Sequence, residues 1–238
     1  MCLGVVRDEL DNKSLAIIKL FDCSVRSNLK QVCLWWGVRK RFVSMMGKTE
    51  LLEAIAGKNR GLLATPSDKQ GILAAIARLE ERNPTPRPTE AGEFLNGDWR
   101  LLYTTSSDLL RLDQVPLLKL GQIYQCIRVK DAKVYNIAEI VGLPYLEGLV
   151  SVVARFEAVS EKRVNVRFER SIDGSQRLIG YQSPQQYIQE IEAGKKFVAI
   201  DFPIDSRNQK GWLDITYLDE NMRIGRGNEG SVFVLSKV

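Results

Sequence analysis

From residue 96 onward apolar and polar side chains alternate, most cleanly in Arg163-Val164-Asn165-Val166-Arg167-Phe168-Glu169, where every second residue is apolar. A period of two puts those apolar side chains on one face of an extended strand, half buried in an antiparallel sheet. The pattern predicts strands near 98–105, 121–129, 133–141, 149–159, 162–172, 196–201, 212–218 and 230–236, with turns at Asp131-Ala132, Ser160-Glu161 and from Asp219 to Gly230. One helix interrupts them: Ser183-Pro184-Gln185-Gln186 begins it, Tyr187, Ile188 and Ile191 face inward, and Gly194 ends it. About eight strands without strand–helix–strand alternation is the pattern of a closed antiparallel barrel of small-ligand size.

Upstream the period changes to 3.6. Lys48 to Ala56 places Leu51, Leu52 and Ile55 on one helical face, and a second helix from Ser67 to Arg82 carries Ile72, Leu73, Ile76 and Leu79 as its stripe. Thr65-Pro66-Ser67-Asp68 offers a cap and a first-turn proline, and Ser67 with Gln70 offers an alternative capping box. Asn83-Pro84-Thr85-Pro86-Arg87-Pro88 forbids continuation. A helical hairpin is therefore expected over 46–92, packed on one end or the outer wall of a barrel at 93–238, because a two-helix stripe cannot bury itself alone.

Charge and cysteine set residues 1–45 apart. Of 34 basic and 29 acidic residues, 8 and 4 fall in that segment, which leaves 26 and 25 in the remainder. A body so close to neutral argues against nucleic acid, whose binding rests on many neutralised phosphates. Cys2, Cys23 and Cys33 also lie in the first segment, leaving Cys126 alone in the body as a small buried hydrophobe of a reducing compartment. The apolar runs of 1–45 are too short to span a bilayer, and Asp8, Glu9, Asp11 and Asp22 are foreign to a transit peptide. The segment is expected to be a poorly ordered leader outside the natural protein, whose start would be Met45 or Met46. The alternative is a basic arm, Arg39-Lys40-Arg41, touching anionic lipid.

The chain has no histidine. Serine–histidine and cysteine–histidine nucleophiles, histidine-ligated zinc and imidazole acid–base catalysis are thereby excluded. Asp131, Glu161, Asp173, Asp219 and Glu220 sit at turns, where solvation explains them better than a catalytic pair. Gly225-Arg226-Gly227-Asn228-Glu229-Gly230 matches a dinucleotide-binding loop in letters, yet Ser231 to Leu235 continues it as a strand and not as a helix. Its glycines are expected to supply positive φ for a hairpin. No catalytic set, metal site or cofactor is expected.

Trp99 follows a glycine in the Gly-x-Trp arrangement that opens lipocalin strands. Its indole is expected to plug the closed end of the barrel, with Arg226, or failing that Arg223, over it in a cation–π contact of about 0.5–2 kcal/mol. Alternation places Trp99, Leu101 and Tyr103 on one face, Val164, Val166 and Phe168 on another, and Leu213, Ile215 and Tyr217 on a third. These faces either fill the barrel or line a pocket in it. The apolar turn Val141-Gly142-Leu143-Pro144-Tyr145-Leu146 either packs under a loop or faces a lipid surface.

Three motifs together resemble the plastid lipid-associated protein family, also called PAP or fibrillins, of cyanobacteria and plastids. They are the helical Leu-Glu-x-x-Asn-Pro ending at Pro84, the Asn96-Gly97-x-Trp99-x-Leu101-Leu102-Tyr103-Thr104 opening, and the Ile224-x-Arg226-Gly227-x-x-Gly230-x-x-Phe233-Val234-Leu235 close. They frame residues 48–238, and the close is the most specific. The resemblance implies a mainly β, lipocalin-like antiparallel barrel of about eight strands, with an N-terminal helical hairpin and one inserted helix. It also implies association with carotenoid-, quinone- and lipid-rich bodies such as plastoglobules and with thylakoid membranes. Residues 1–45 fall outside it, which points to a cyanobacterial member acting on the cytoplasmic side of the thylakoid or on lipid bodies; a plant or algal member would lie in the plastid.

Asn96, Gly97, Trp99, Arg226, Gly227, Gly230 and Phe233 match by motif and are expected to close the fold. Ligand contacts are expected at inward positions, Trp99, Tyr103, Phe156, Phe168 and Tyr217. The function expected is non-enzymatic binding of a lipid, carotenoid or prenylquinone, with a membrane surface as a further partner. A coat protein with a filled barrel, and a cofactor-free lipid-modifying enzyme, are the alternatives.

Overall fold

A computed structural model describes residues 46–107, 119–142, 147–205 and 211–238. The 1–45 segment and most of the apolar 141–146 turn lie outside the described residues. Two compact units divide at Thr49 and Glu50, and the second, Glu50–Val238, holds the sheet and the site.

The helix over 46–55 (α1) buries Leu51 and Ile55, and α2 (Pro66–Glu80) buries Ile72, Ala75, Ile76 and Leu79. Leu52 and Leu73, expected on the stripe, are exposed. The spacing i, i+3, i+4, i+7 runs through Ala75, and Leu73 falls off that face. Of the two caps on offer the chain uses Thr65: its Oγ1 accepts from Asp68 N at 3.1 Å while Asp68 Oδ2 accepts from Thr65 N at 2.9 Å. A one-turn helix, α3 (Gly92–Leu95), then leads into the sheet.

Nine strands follow: β1 (Gly97–Thr104), β2 (Lys119–Arg128), β3 (Lys133–Val141), β4 (Gly148–Ala158), β5 (Arg163–Ser175), β6 (Ile200–Pro203), β7 (Gly211–Leu218), β8 (Met222–Gly227) and β9 (Val232–Lys237). Their order is β4-β3-β2-β1-β9-β8-β7-β5-β6, and β4 also pairs with β5. Eight strands therefore close an antiparallel barrel, and β6 is an extra edge. β5 serves both: residues 163–166 pair with β7, and residues 170–173 pair with β6. The β5–β7 seam is short, and a bidentate Arg163–Asp214 ion pair with N···O distances of 2.6 and 2.7 Å ties it.

β8 departs from the sequence pattern, which assigned Asp219 to Gly230 to one turn. The turn is confined to Asp219–Asn221, where Asp219 Oδ1 accepts from the backbone N–H groups of Asn221 and Met222. Two glycines and two arginines depress β propensity in β8, but Met222 and Ile224 bury against the helices and hold it extended. Gly225 and Gly227 lie in this strand, and only Gly230 of the three takes a positive φ, +72°. The glycines of β8 answer a different need: a Cβ on Gly225 would come within 3.2 Å of the Leu213 side chain.

Side chains bury in three places. Helices α1 and α2 cover the outer face of β1, β9, β8 and β7, where Tyr103, Tyr217, Ile224 and Val234 meet Leu51, Ile76 and Leu79. Two later helices, α4 (Gln176–Ile179) and α5 (Pro184–Glu192), cover the outer face across β2 to β5, where Tyr187 and Ile188 meet Cys126, Tyr135 and Val153. The third cluster is the barrel interior, with Trp99, Leu101, Ile123, Ile215 and Leu235.

Candidate functional site

The barrel interior is closed at one end by the Asn96–Trp99 segment. Asn96 Oδ1 accepts from Val129 N at 3.0 Å, closing the turn after β2. Gly97 has φ +131°, and a Cβ there would lie 2.8 Å from Lys237 Cε, so only glycine lets β1 start where β9 ends. Asp98 Oδ1 accepts from Arg128 Nη1 at 2.8 Å, and its Oδ2 accepts from Gln185 Nε2 at 2.9 Å, which docks α5. Trp99, fully buried, donates from Nε1 to Leu95 O at 3.0 Å and forms the floor.

Above that floor the barrel is hollow. A cavity of about 630 Å³ is lined by Leu101, Ile123, Val150, Val152, Phe156, Val164, Val166, Phe168, Leu213, Ile215 and Phe233, among others. Ser106, Gly211, Asn228 and Ser231 line it at the strand ends away from Trp99, and Phe168, an exposed residue within β5 just beyond the β5–β7 pairing, stands on the same wall. The volume lies within the range of about 300–1,000 Å³ usual for small-molecule sites, and the mostly apolar wall with few polar groups is their usual chemistry.

Of the residues expected at a ligand, Phe156 and Phe168 are on the cavity wall and Trp99 is beneath it. Tyr103 and Tyr217 are not: both lie outside the barrel, under α1 and α2. The reason is a pair of irregularities in register, between Leu101 and Tyr103 on β1 and between Ile215 and Tyr217 on β7. Each inserts one residue, so the alternation inverts and the next tyrosine turns outward. Gly227 and Phe233, expected only to close the fold, stand on the cavity wall.

The arginine over Trp99 is Arg223, its Cζ 5.3 Å from the ring, and Lys237 Nζ lies 5.1 Å from the same ring. Arg226 lies one strand face away and pairs with Glu80 on α2. β8 directs Arg223 and Gly227 to the cavity and Gly225 toward Leu213, with Ile224 and Arg226 toward the helices, so the strand's alternation gives the indole to Arg223 and not to the more central arginine of the motif.

Arg223, the second choice of the sequence for the indole, has a place on the cavity wall that alternation in the sequence does not reveal, because glycine and arginine give its strand the pattern of a turn. Only 3% exposed, it lines the cavity. Its Nη2 donates to Gln125 Oε1, its Nε has no hydrogen-bond partner, and among the described residues no carboxylate forms an ion pair with it. Burial without a counter-charge pushes its pKa down to about 9. The indole contact returns about 0.5–2 kcal/mol, against an effective desolvation penalty of several kcal/mol for a buried ion. Gln125 and Asn136, partners in the β2–β3 register, also line the cavity beside it.

No cluster of metal-ligating side chains occurs among the described residues. Cys126 is fully buried under α5, and burial with Asp98 nearby pushes its thiol well above the ordinary range, which removes it as a nucleophile.

The PAP_fibrillin family model matches residues 45–236. The chain is similar to a chloroplastic light-induced protein of Solanum tuberosum, 36% identical over 217 residues covering 80% of this chain. It spans 66% of that relative's length, just under two thirds. A chromoplast-specific carotenoid-associated protein C1 of an Oncidium hybrid cultivar is 35% identical over 218 residues, covering 80% of this chain and 68% of the relative. The probable plastid-lipid-associated protein 2, chloroplastic, of Arabidopsis thaliana is 34% identical over 217 residues, covering 80% and 70%.

Proposed function

We propose, from the premise that this chain belongs to the PAP/fibrillin family, that it is a non-enzymatic carrier which buries one hydrophobic small molecule, a lipid, carotenoid or prenylquinone, inside its barrel. The single observation that carries this reading is the apolar cavity of about 630 Å³ inside the barrel, with Phe156, Phe168 and Phe233 on its wall and Trp99 packed in the interior cluster beneath it. Removing apolar area from water contributes about 25 cal/mol per Å², and a hollow interior leaves that gain for a guest. Relatives named for carotenoid and plastid lipid support a cargo of this class and, for a plant or algal chain, a place in the plastid.

The coat reading has its own support. Val198, Ile200 and Phe202 are exposed where β6 and its approach run along the outer half of β5. A group of exposed apolar side chains on a sheet edge is suited to contact with lipid, and it is compatible with a loaded barrel.

The test is to express the full chain in a pigmented host, purify it without detergent, and identify by mass spectrometry the apolar molecules extracted from it. One species near one per chain is expected, lost in Val152→Trp, which fills the cavity, with the circular dichroism spectrum kept. A protein that is empty, or coated by a mixture that Val152→Trp leaves in place, would retire the carrier reading.

A further inference from the structure

Arg223 is difficult to explain by the barrel alone. A guanidinium presents five donors and no acceptor, and here it is held at the floor of an apolar cavity with Nε unpartnered and only a neutral amide, Gln125, opposite Nη2. Two less buried arginines of the same sheet meet carboxylates: Arg128 meets Asp98, and Arg226 meets Glu80. Arg223 differs from both in facing the cavity and not a covering helix. The polar group is also at the right end. It lies against Trp99, while Val150, Val152, Phe156 and Val166 make the intervening wall aliphatic and aromatic, with the neutral Ser106, Asn228 and Ser231 at the far strand ends.

We propose that the cavity selects an amphiphile with an ionised head, a long-chain carboxylate, bound head-down so that the carboxylate meets Arg223 and the acyl chain runs up the barrel toward Phe168. This rests on the carrier reading and gives it a ligand class. The carboxylate supplies the counter-charge that Arg223 lacks, in the planar donor–acceptor geometry that guanidinium and carboxylate share. Gln125 and Asn136 flank the head, Gln125 already held by Nη2. A hydrocarbon or an ester of the same length fills the same walls and leaves the charge uncompensated, so the site discriminates by head and not by chain.

The experiment uses the full chain stripped of endogenous lipid, titrated at pH 8 with oleic acid and with its methyl ester, each below its aggregation concentration. Oleate is expected to bind at least tenfold tighter than the ester, and Arg223→Gln to lower oleate affinity at least tenfold while holding ester affinity within twofold. Equal affinity of the two probes for the unaltered protein, or an oleate preference that survives in Arg223→Gln, would overturn the head-down site. Should Arg223→Gln fail to fold, oleate labelled with ¹³C at the carboxyl decides the matter on the unaltered protein. Paired with Arg223, its resonance stays at the ionised position as pH falls through the ordinary carboxylate range, and a resonance that titrates as in free oleate refutes the pairing. Failure of both probes to bind would instead count against the carrier reading itself, whereas ester binding without an acid preference removes the head-group assignment alone.

Discussion

Glu80, the last residue of α2, accepts two parallel hydrogen bonds from Arg226 of β8, Nε to Oε1 and Nη2 to Oε2, each at 2.8 Å. The same carboxylate accepts from Thr216 Oγ1 of β7 at 2.6 Å. Three residues on, Asn83 Oδ1 accepts from Leu218 N at 3.1 Å, and Thr85 Oγ1 donates to Leu218 O at 2.7 Å. The end of the helical hairpin and its proline linker are thus fastened to the two strands that carry Leu213, Ile215 and Arg223 on their inner faces.

The two partners of this ion pair are unequally buried, with Glu80 at 15% side-chain exposure and Arg226 at 38%. Arg226→Met strands a buried carboxylate, whereas Glu80→Gln leaves an arginine that can reach water. Arg226→Met is therefore expected to cost about 2 kcal/mol and Glu80→Gln about 1 kcal/mol, with a coupling of about 1–2 kcal/mol in the double mutant. Urea midpoints at constant slope measure all three; additive single effects would mean that the contact contributes nothing.

Tyr103 and Tyr217 turn out of the barrel together but end in different polar surroundings. Tyr103 Oη is buried without a partner, and burial raises its pKa. Tyr217 donates to Asp219 Oδ2 at 2.6 Å. Tyr103→Phe is expected to be neutral or to stabilise by up to about 1 kcal/mol, and Tyr217→Phe to destabilise by about 1 kcal/mol. Neither changes cargo content, since neither residue reaches the cavity. Loss of cargo in Tyr103→Phe would place the ring inside.

These two tyrosines also mark where reading by alternation stops. The period of two at Val164, Val166 and Phe168 identifies one cavity wall without help, because β5 pairs regularly through that stretch. On β1 and β7 an inserted residue shifts the register, and a bulge has no signature in a pattern of apolar and polar letters when Leu102 and Tyr103 both suit a buried face. The place of Arg223 on the cavity wall was hidden differently. Glycine and arginine make β8 look like a turn, and only the neighbours that bury Met222 and Ile224 make it a strand. The capping at Thr65 and Ser183 was legible because it depends on residues within three positions of the helix start.

The cap of α2 confers a pH dependence. Hydrogen bonds from Lys58 and from Thr65 hold the Asp68 carboxyl at about 2, below its usual range. A depressed native pKa adds stability that is present above the unfolded value of about 3.9 and is lost as pH falls through about 2. Asp68→Ala should therefore lower the Tm at pH 7, and its difference from the parent should close between pH 4 and pH 2. A difference that persists at pH 2 would assign the effect to contacts that the protonated side chain keeps and not to the ionised cap, since helix propensity alone favours alanine. Thr65→Ala, which removes the other half of the box, should cost about 1 kcal/mol.

The exposed edge strand separates cargo from surface. Ile200 and Val198 are each 69% exposed, while Gly174 of β5 packs against the intervening Ala199, so the backbone there is anchored even though the flanking side chains point away. Edge strands of soluble proteins usually carry charge or proline in place of such residues; here the one charge, Asp201, is paired with Arg170 and the one proline, Pro203, comes at the strand's end. If these side chains meet lipid, Val198→Asp with Ile200→Asp should cut flotation with galactolipid vesicles severalfold while leaving fold and extracted cargo unchanged, because no cavity residue is touched. Undiminished flotation would move lipid contact elsewhere on the molecule. Joint loss of flotation and cargo would mean instead that the barrel loads from the surface to which this edge binds.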